Sequence, residues 1–178
     1  MPAKDPREAP NKMIGDDSHQ QIRGLQAGKP GHSALRKGRV SLPQQAYLVT
    51  TATIKRAPVF LDFEAGCVAA RCFEDRTILG DTQMLAWVLM PDHAHWLLQL
   101  GASDTLSIVV NRVKSASARL VNRSLGKQGS LWQPAFYDHA LRSDEDFRSV
   151  ARYVVANPLR AGLVRRVGDY PFWNAVWI

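Results

Sequence analysis

The sequence predicts an α+β fold of the ferredoxin-like, split βαβ kind: an antiparallel sheet with helices, plus a C-terminal helix carrying a tyrosine. Three observations predict it. Apolar residues alternate between strand and helix periodicity in the order β-α-β-β-α-β-α. Only Pro91-Asp92, a turn signal, separates the second and third strand segments, which makes them a hairpin. A chain of 178 residues that is 46% hydrophobic and 22% charged has the composition of an ordinary globular domain with a sizeable core.

Taken in order, residues 1–40 are poor in large apolar side chains and rich in Pro, Gly, Gln, Asp and Lys. Such a segment buries too little surface to offset its ordering entropy, and it is expected to be a mobile basic and polar arm. Its end, LRKGRV (Leu35–Val40), carries cations that can touch phosphate or remain a solvated tail. The folded domain is expected over residues 41–178. AYLVTTATI (Ala46–Ile54) is β-branched and reads as the first strand. A helix follows from Leu61 to about Asp75. QMLAWVLM (Gln83–Met90) and His93–Leu100 form the hairpin. Leu106, Val109, Val110, Val113 and Leu120 recur at helical spacing between Asp104 and about Leu125. FYDHALR (Phe136–Arg142) is the fourth strand. Ser143 is the expected N-cap of the last helix, and Pro158 ends it at Asn157. In this topology the first and third strands are central.

Composition narrows function only broadly. No apolar run is long enough to span a membrane, and MPAKDPREAPNK lacks the apolar core of a secretory signal. Cys67 and Cys72 are spaced poorly for a disulfide, so a reduced, cytoplasmic protein is expected. The formal net charge of +7 favours a polyanionic partner such as nucleic acid.

Sharper information lies in VLMPDHAHWLLQL (Val88–Leu100), where two titratable rings interrupt an apolar run. Alternate residues of a strand share a face, so His93 and His95 point the same way, with Cα atoms about 6.6 Å apart at roughly 3.3 Å per residue. They are either core histidines that have found partners or two ligands of one divalent ion. On the last helix Phe147, Val150, Ala151 and Val154 form the buried face, and Asp146, Tyr153 and Asn157 lie along its border. Tyr153 and Asn157 are neighbours one turn apart. They can look into the histidines' pocket, or serve as a boundary tyrosine and a helix-ending asparagine.

MPDHAHWLL, LWQPAFYDHALR and ARYVVANPLRAGLV together resemble the HUH single-tyrosine transposases, and among them the REP-associated tyrosine transposases. The resemblance runs from about Gly38 to the C-terminus. It implies a metal-dependent enzyme that cuts and rejoins single-stranded DNA through a 5′-phosphotyrosine intermediate. Tyr153 maps to the nucleophile. His93 and His95 map to ligands of Mg²⁺ or Mn²⁺, and Asn157 to the third ligand, a position where many relatives carry glutamine. The implied partner is single-stranded DNA with hairpins, REP-like palindromes in particular. Relatives act as monomers or as helix-swapped homodimers.

Further DNA contacts are expected from Arg112, Lys114, Arg119 and Arg123 on the long helix, with Lys127 beyond it, unless that face is merely solvated. Trp132, Phe136 and Tyr137 can stack on bases or fill the core. His139 can orient a phosphate or hold structure. Two other functions fit the same residues: a non-catalytic hairpin-binding module, and a His-x-His hydrolase working through activated water.

Overall fold

The computed structural model describes residues 41–177. The expected arm over residues 1–40, with its LRKGRV end, lies outside the described residues. Five strands form one sheet in the order β4-β1-β3-β2-β5, with every neighbouring pair antiparallel. They are β1 (Ala46–Ala52), β2 (Gln83–Met90), β3 (His93–Gln99), β4 (Tyr137–Ala140) and β5 (Trp173–Ala175). The α+β sandwich with β3 at the centre is as the sequence predicts.

The hairpin forms as expected: Met90 pairs with His93 across the Pro91-Asp92 turn. β2 reads as a continuous apolar run because helices cover both faces of the sheet, and its last six residues are buried. One face carries α1 (Phe63–Glu74) and α3 (Leu106–Ser124), with the short α2 (Arg76–Leu79) beside them. Phe73 of α1 meets Trp87 and Trp96 edge to face, at 5.5 and 5.1 Å between ring centroids. The other face carries α4 (Phe147–Val155), whose Val150, Ala151 and Val154 pack on Leu48, Val88 and Leu97. Asp62 and Thr105 cap α1 and α3 by accepting from Ala65 N and Ile108 N.

Several local expectations are corrected. The N-cap of α4 is Asp146 rather than Ser143: its carboxylate accepts from the backbone N–H groups of Arg148 and Ser149. Asn157 does not end the helical path. It opens a further turn, α5 (Asn157–Arg160), after a break at Ala156. Pro158 fits there because the first turn of a helix needs no N–H from it. Leu120 lies outside the core, 40% exposed. The fifth strand was not expected. It is held by Glu74, whose Oε1 accepts from Trp87 Nε1 at 3.0 Å and Asn174 Nδ2 at 2.5 Å.

Cys67 and Cys72 are free on α1. Among the described residues, no helix is long and apolar enough to cross a membrane.

Gly66 lets α1 approach the segment that leads into β5. A Cβ there would lie 2.4–2.9 Å from the Phe172 ring, which is itself buried. Overpacking of this kind costs about 1–3 kcal/mol, against about 1 kcal/mol gained from helix propensity. Gly66→Ala is therefore expected to lower the urea midpoint at unchanged m-value; an unchanged or raised midpoint would mean that Phe172 yields freely.

Candidate active site

His93 and His95 belong to neither cluster of buried core residues. They lie on the face of β3 that also presents Leu97, while Ala94, Trp96 and Leu98 are buried under α1 and α3 on the other face. Both rings remain partly exposed. Their centroids are 4.9 Å apart and their planes nearly perpendicular, at 87°.

Each ring is oriented through its Nδ1. His93 Nδ1–H donates to Asp92 Oδ1 at 2.5 Å, and Arg56 Nη1 donates to the other carboxylate oxygen at 3.1 Å. His95 Nδ1 lies 2.8 Å from Thr50 Oγ1, its cross-strand partner on β1. In the tautomer that donates Nδ1–H to Thr50, the Nε2 of each histidine keeps its lone pair for a ligand. A carboxylate or hydroxyl behind each imidazole is the usual arrangement around metal-binding histidines.

The backbone that delivers Arg56 is strained. Lys55 and Arg56 both hold left-handed conformations, with φ of 54° and 55°. Thr53 ties this loop to the hairpin turn: its N–H and Oγ1–H donate to Asp92 O at 2.9 and 3.0 Å. The loop, the turn and His93 are thus one bonded unit.

Electrostatics favour neutral rings. Burial, then His93 and the guanidiniums of Arg160 and Arg56, push His95 down to about 3. Burial also lowers His93, against the opposing pull of Asp92. Burial would raise the Asp92 carboxyl, but the bonds from His93 and Arg56 outweigh it and hold it below the usual range. The unfolded chain therefore takes up protons that the folded histidines refuse. Stability of the metal-free protein should be complete above the unfolded histidine value of about 6.5. It should fall as pH drops from there toward the folded value of about 3. Urea denaturation in EDTA across this window, with His95→Asn flattening the slope, checks it; identical slopes would remove His95 from the account.

The last helix lies on the histidines' side of the sheet. α4 packs on the same sheet face as the histidine pair, with Tyr153 partly buried. Asn157 Nδ2 donates to Val154 O at 2.8 Å and to Tyr153 O at 3.4 Å. The amide nitrogen thus closes the end of α4. Among the described residues, no three His, Cys, Asp or Glu side chains cluster as a metal site. A cation here would rest on two imidazoles, the Asn157 oxygen and oxygens of its substrate, a donor set suited to a hard or borderline divalent ion.

Two groups near this site escaped the sequence reading. Thr50 is brought to His95 only by strand register. The Arg160 guanidinium lies over the Tyr153 ring, 3.8 Å from its centroid.

The expected DNA-contacting cations divide. Lys114 is buried, its Nζ donating to the carbonyls of Gln133 and Pro134 at 2.7 and 3.2 Å, which corrects its reading as a surface cation. Arg112 donates to the carbonyls of Ile78 and Leu79 and pairs with Asp104 at 2.8 Å. Arg119, Arg123 and Lys127 are exposed. The helix bearing Arg119 and Arg123 lies across the sheet from the histidines. Trp132 is core, its Nε1–H donating to Ser117 Oγ at 3.0 Å, and Phe136 is packed against the same core. Tyr137 differs. It is 43% exposed on β4, opposite Thr50, and so shares the histidines' face. His139 Nε2 meets the Glu145 carboxylate at 3.0 Å. Glu145 also accepts from Arg142 N, a pairing that ties β4 to the start of α4.

The model of the family described as "Transposase IS200 like" matches residues 44–157, well over half of the chain. The chain belongs to the IS200-like transposase family. The match begins before β1 and ends at Asn157, so it contains the histidine pair and Tyr153 but not Arg160. This IS200-like chain is 35% identical over 89 residues to the REP-associated tyrosine transposase of Escherichia coli (strain K12). The aligned stretch covers 49% of the chain and 50% of that relative, so the chain spans about half the length of the relative it matches. A solved REP-associated tyrosine transposase bound to a REP hairpin has a similar fold, with a TM-score of 0.60 at 25% identity. That likeness covers 76% of this chain and 79% of the other.

Proposed function

We propose that this IS200-like transposase cleaves and rejoins single-stranded DNA at hairpin-forming repeats, with Tyr153 as nucleophile. The observation that carries the reading is the shared sheet face: the tyrosine-bearing helix packs on the side that presents His93 and His95, each bonded through Nδ1. The likeness to a transposase bound to a REP hairpin supports hairpin DNA as the substrate class.

His93, His95 and Asn157 would hold a divalent cation, Mg²⁺ or Mn²⁺, which supplies charge neutralisation at the phosphodiester. The remaining work belongs to the chain itself. Asp92 and Thr50 keep the imidazoles in the tautomer that presents Nε2. α4, anchored by Val150, Ala151 and Val154, fixes the Cα of Tyr153 against the sheet. Tyr153 Oη forms a bond to phosphorus as the bond from phosphorus to the 3′ oxygen breaks. The phenol proton is lost and the departing 3′ oxygen gains one, so the products are a 5′-phosphotyrosine and a free 3′-hydroxyl. No water is consumed and nothing is oxidised, so a second 3′-hydroxyl can reverse the step and rejoin a strand without ATP.

The experiment is covalent capture on the full chain. Labelled single strands containing imperfect palindromes are mixed with protein and Mg²⁺ or Mn²⁺, then denatured. Label migrating with the protein, and absent in EDTA, is expected. Binding with no cleavage on any hairpin would leave a DNA-binding module, and cleavage without a protein-linked label would leave a hydrolase using water.

A further inference from the structure

We propose that Arg160 is a further catalytic residue: its guanidinium, stacked on the Tyr153 ring, holds a non-bridging oxygen of the phosphodiester that Tyr153 attacks. The inference rests on the Tyr153 reading and adds to it a group outside the family-model match.

Three observations carry it. The guanidinium carbon sits 3.8 Å from the ring centroid of Tyr153. A guanidinium beside the phenol carries N–H donors that suit the non-bridging oxygens of a phosphate brought to Tyr153. Secondly, the partner of the Arg160 side chain is Tyr153 itself, by ring contact and side-chain hydrogen bond, and not a carboxylate. Among the described residues no carboxylate forms an ion pair with it, whereas Arg56, the other guanidinium by the histidines, is paired with Asp92. An exposed cation with no carboxylate partner can meet an anionic substrate without first giving up an ion pair. Thirdly, Arg160 sits on α5, which continues from α4, the helix packed on the histidines' face of the sheet. The break at Ala156 and the turn opened by Asn157-Pro158 carry Arg160 back over Tyr153.

Simple ring packing by a solvated arginine would look the same at rest, so the test must read charge on the phosphate. Single-turnover adduct formation is measured with the full chain, as wild type, Arg160→Gln and Arg160→Lys. The substrates are a phosphodiester hairpin strand and the same strand with one methylphosphonate at the scissile position, its two diastereomers separated. A lost oxyanion donor costs about 10²–10³-fold. Arg160→Gln is expected to lose that factor on the phosphodiester, and Arg160→Lys less. On the methylphosphonate diastereomer that lacks the charged oxygen Arg160 would hold, wild type and Arg160→Gln should agree within about threefold. Equal losses on every substrate would reduce Arg160 to packing, and no loss on the phosphodiester would dismiss it. Hairpin affinity and the urea midpoint of each variant show whether it is folded. Wild type serves as the separate control: if it forms no adduct, the Tyr153 reading fails, and if it does while Arg160→Gln matches it, only the present inference fails.

Discussion

Tyr153→Phe is expected to abolish the covalent protein–DNA link, with strand cleavage falling by at least about 10³-fold. The substitution removes one oxygen and leaves a ring of the same size. Tyr153 is partly buried, and the hydrogen-bond partner of its side chain is the exposed Arg160 rather than a core group. The fold should therefore survive, and so should the stack with Arg160. Hairpin affinity, which depends on phosphate and base contacts elsewhere, should change less than about threefold. This combination of silent chemistry and intact binding separates a nucleophile from a structural tyrosine. Cleavage that persists in Tyr153→Phe would point to activated water as the attacking group.

The second large effect is expected at the histidines. His95→Ala removes a ligand atom, and its loss should weaken Mn²⁺ binding by at least about 100-fold in calorimetric titration, with cleavage falling in parallel. Asp92→Asn keeps every ligand but loosens the ring of His93, so a smaller loss, roughly 10–100-fold, is expected. Raising Mn²⁺ should recover more activity in Asp92→Asn than in His95→Ala. If both variants bind Mn²⁺ as tightly as wild type, the cation lies elsewhere and the His-x-His reading fails. The Asp92 variant has a second consequence. Arg56 loses its carboxylate charge while its backbone remains left-handed, so the loop after β1 should exchange amide hydrogens faster than in the wild type.

What was legible in the sequence follows from the range of the physics involved. Strand alternation is local, so β1, β2 and β3 and the shared face of His93 and His95 could be read directly. The α4 face was legible for the same reason. Its cap was not, because Ser143, Asp144, Glu145 and Asp146 offer several capping side chains in a row, and only the backbone path selects Asp146. β5 is three residues long and exists through pairing with β2 and the bonds of Glu74, contacts that carry no periodic signal. Lys114 could have been placed better. It falls on the stripe formed by Val110, Val113, Ser117 and Val121, all buried, and that spacing outweighs its charge. Its ammonium avoids the cost of burial by binding the carbonyls of Gln133 and Pro134, shortly before β4. Thr50 and Arg160 reach the site through cross-strand register and a helix break, and no spacing rule reports either.

The central claim concerns one atom, the phenol oxygen of Tyr153, and it is tested most directly by locating the covalent bond. Adduct formed by the full chain on a hairpin strand would be digested with protease and nuclease, and the residual peptide sequenced by tandem mass spectrometry. The account predicts a nucleotide 5′-phosphate on the peptide containing Tyr153 and nowhere else. The same mass on another side chain, such as the exposed Tyr137 on the histidines' face, would contradict it.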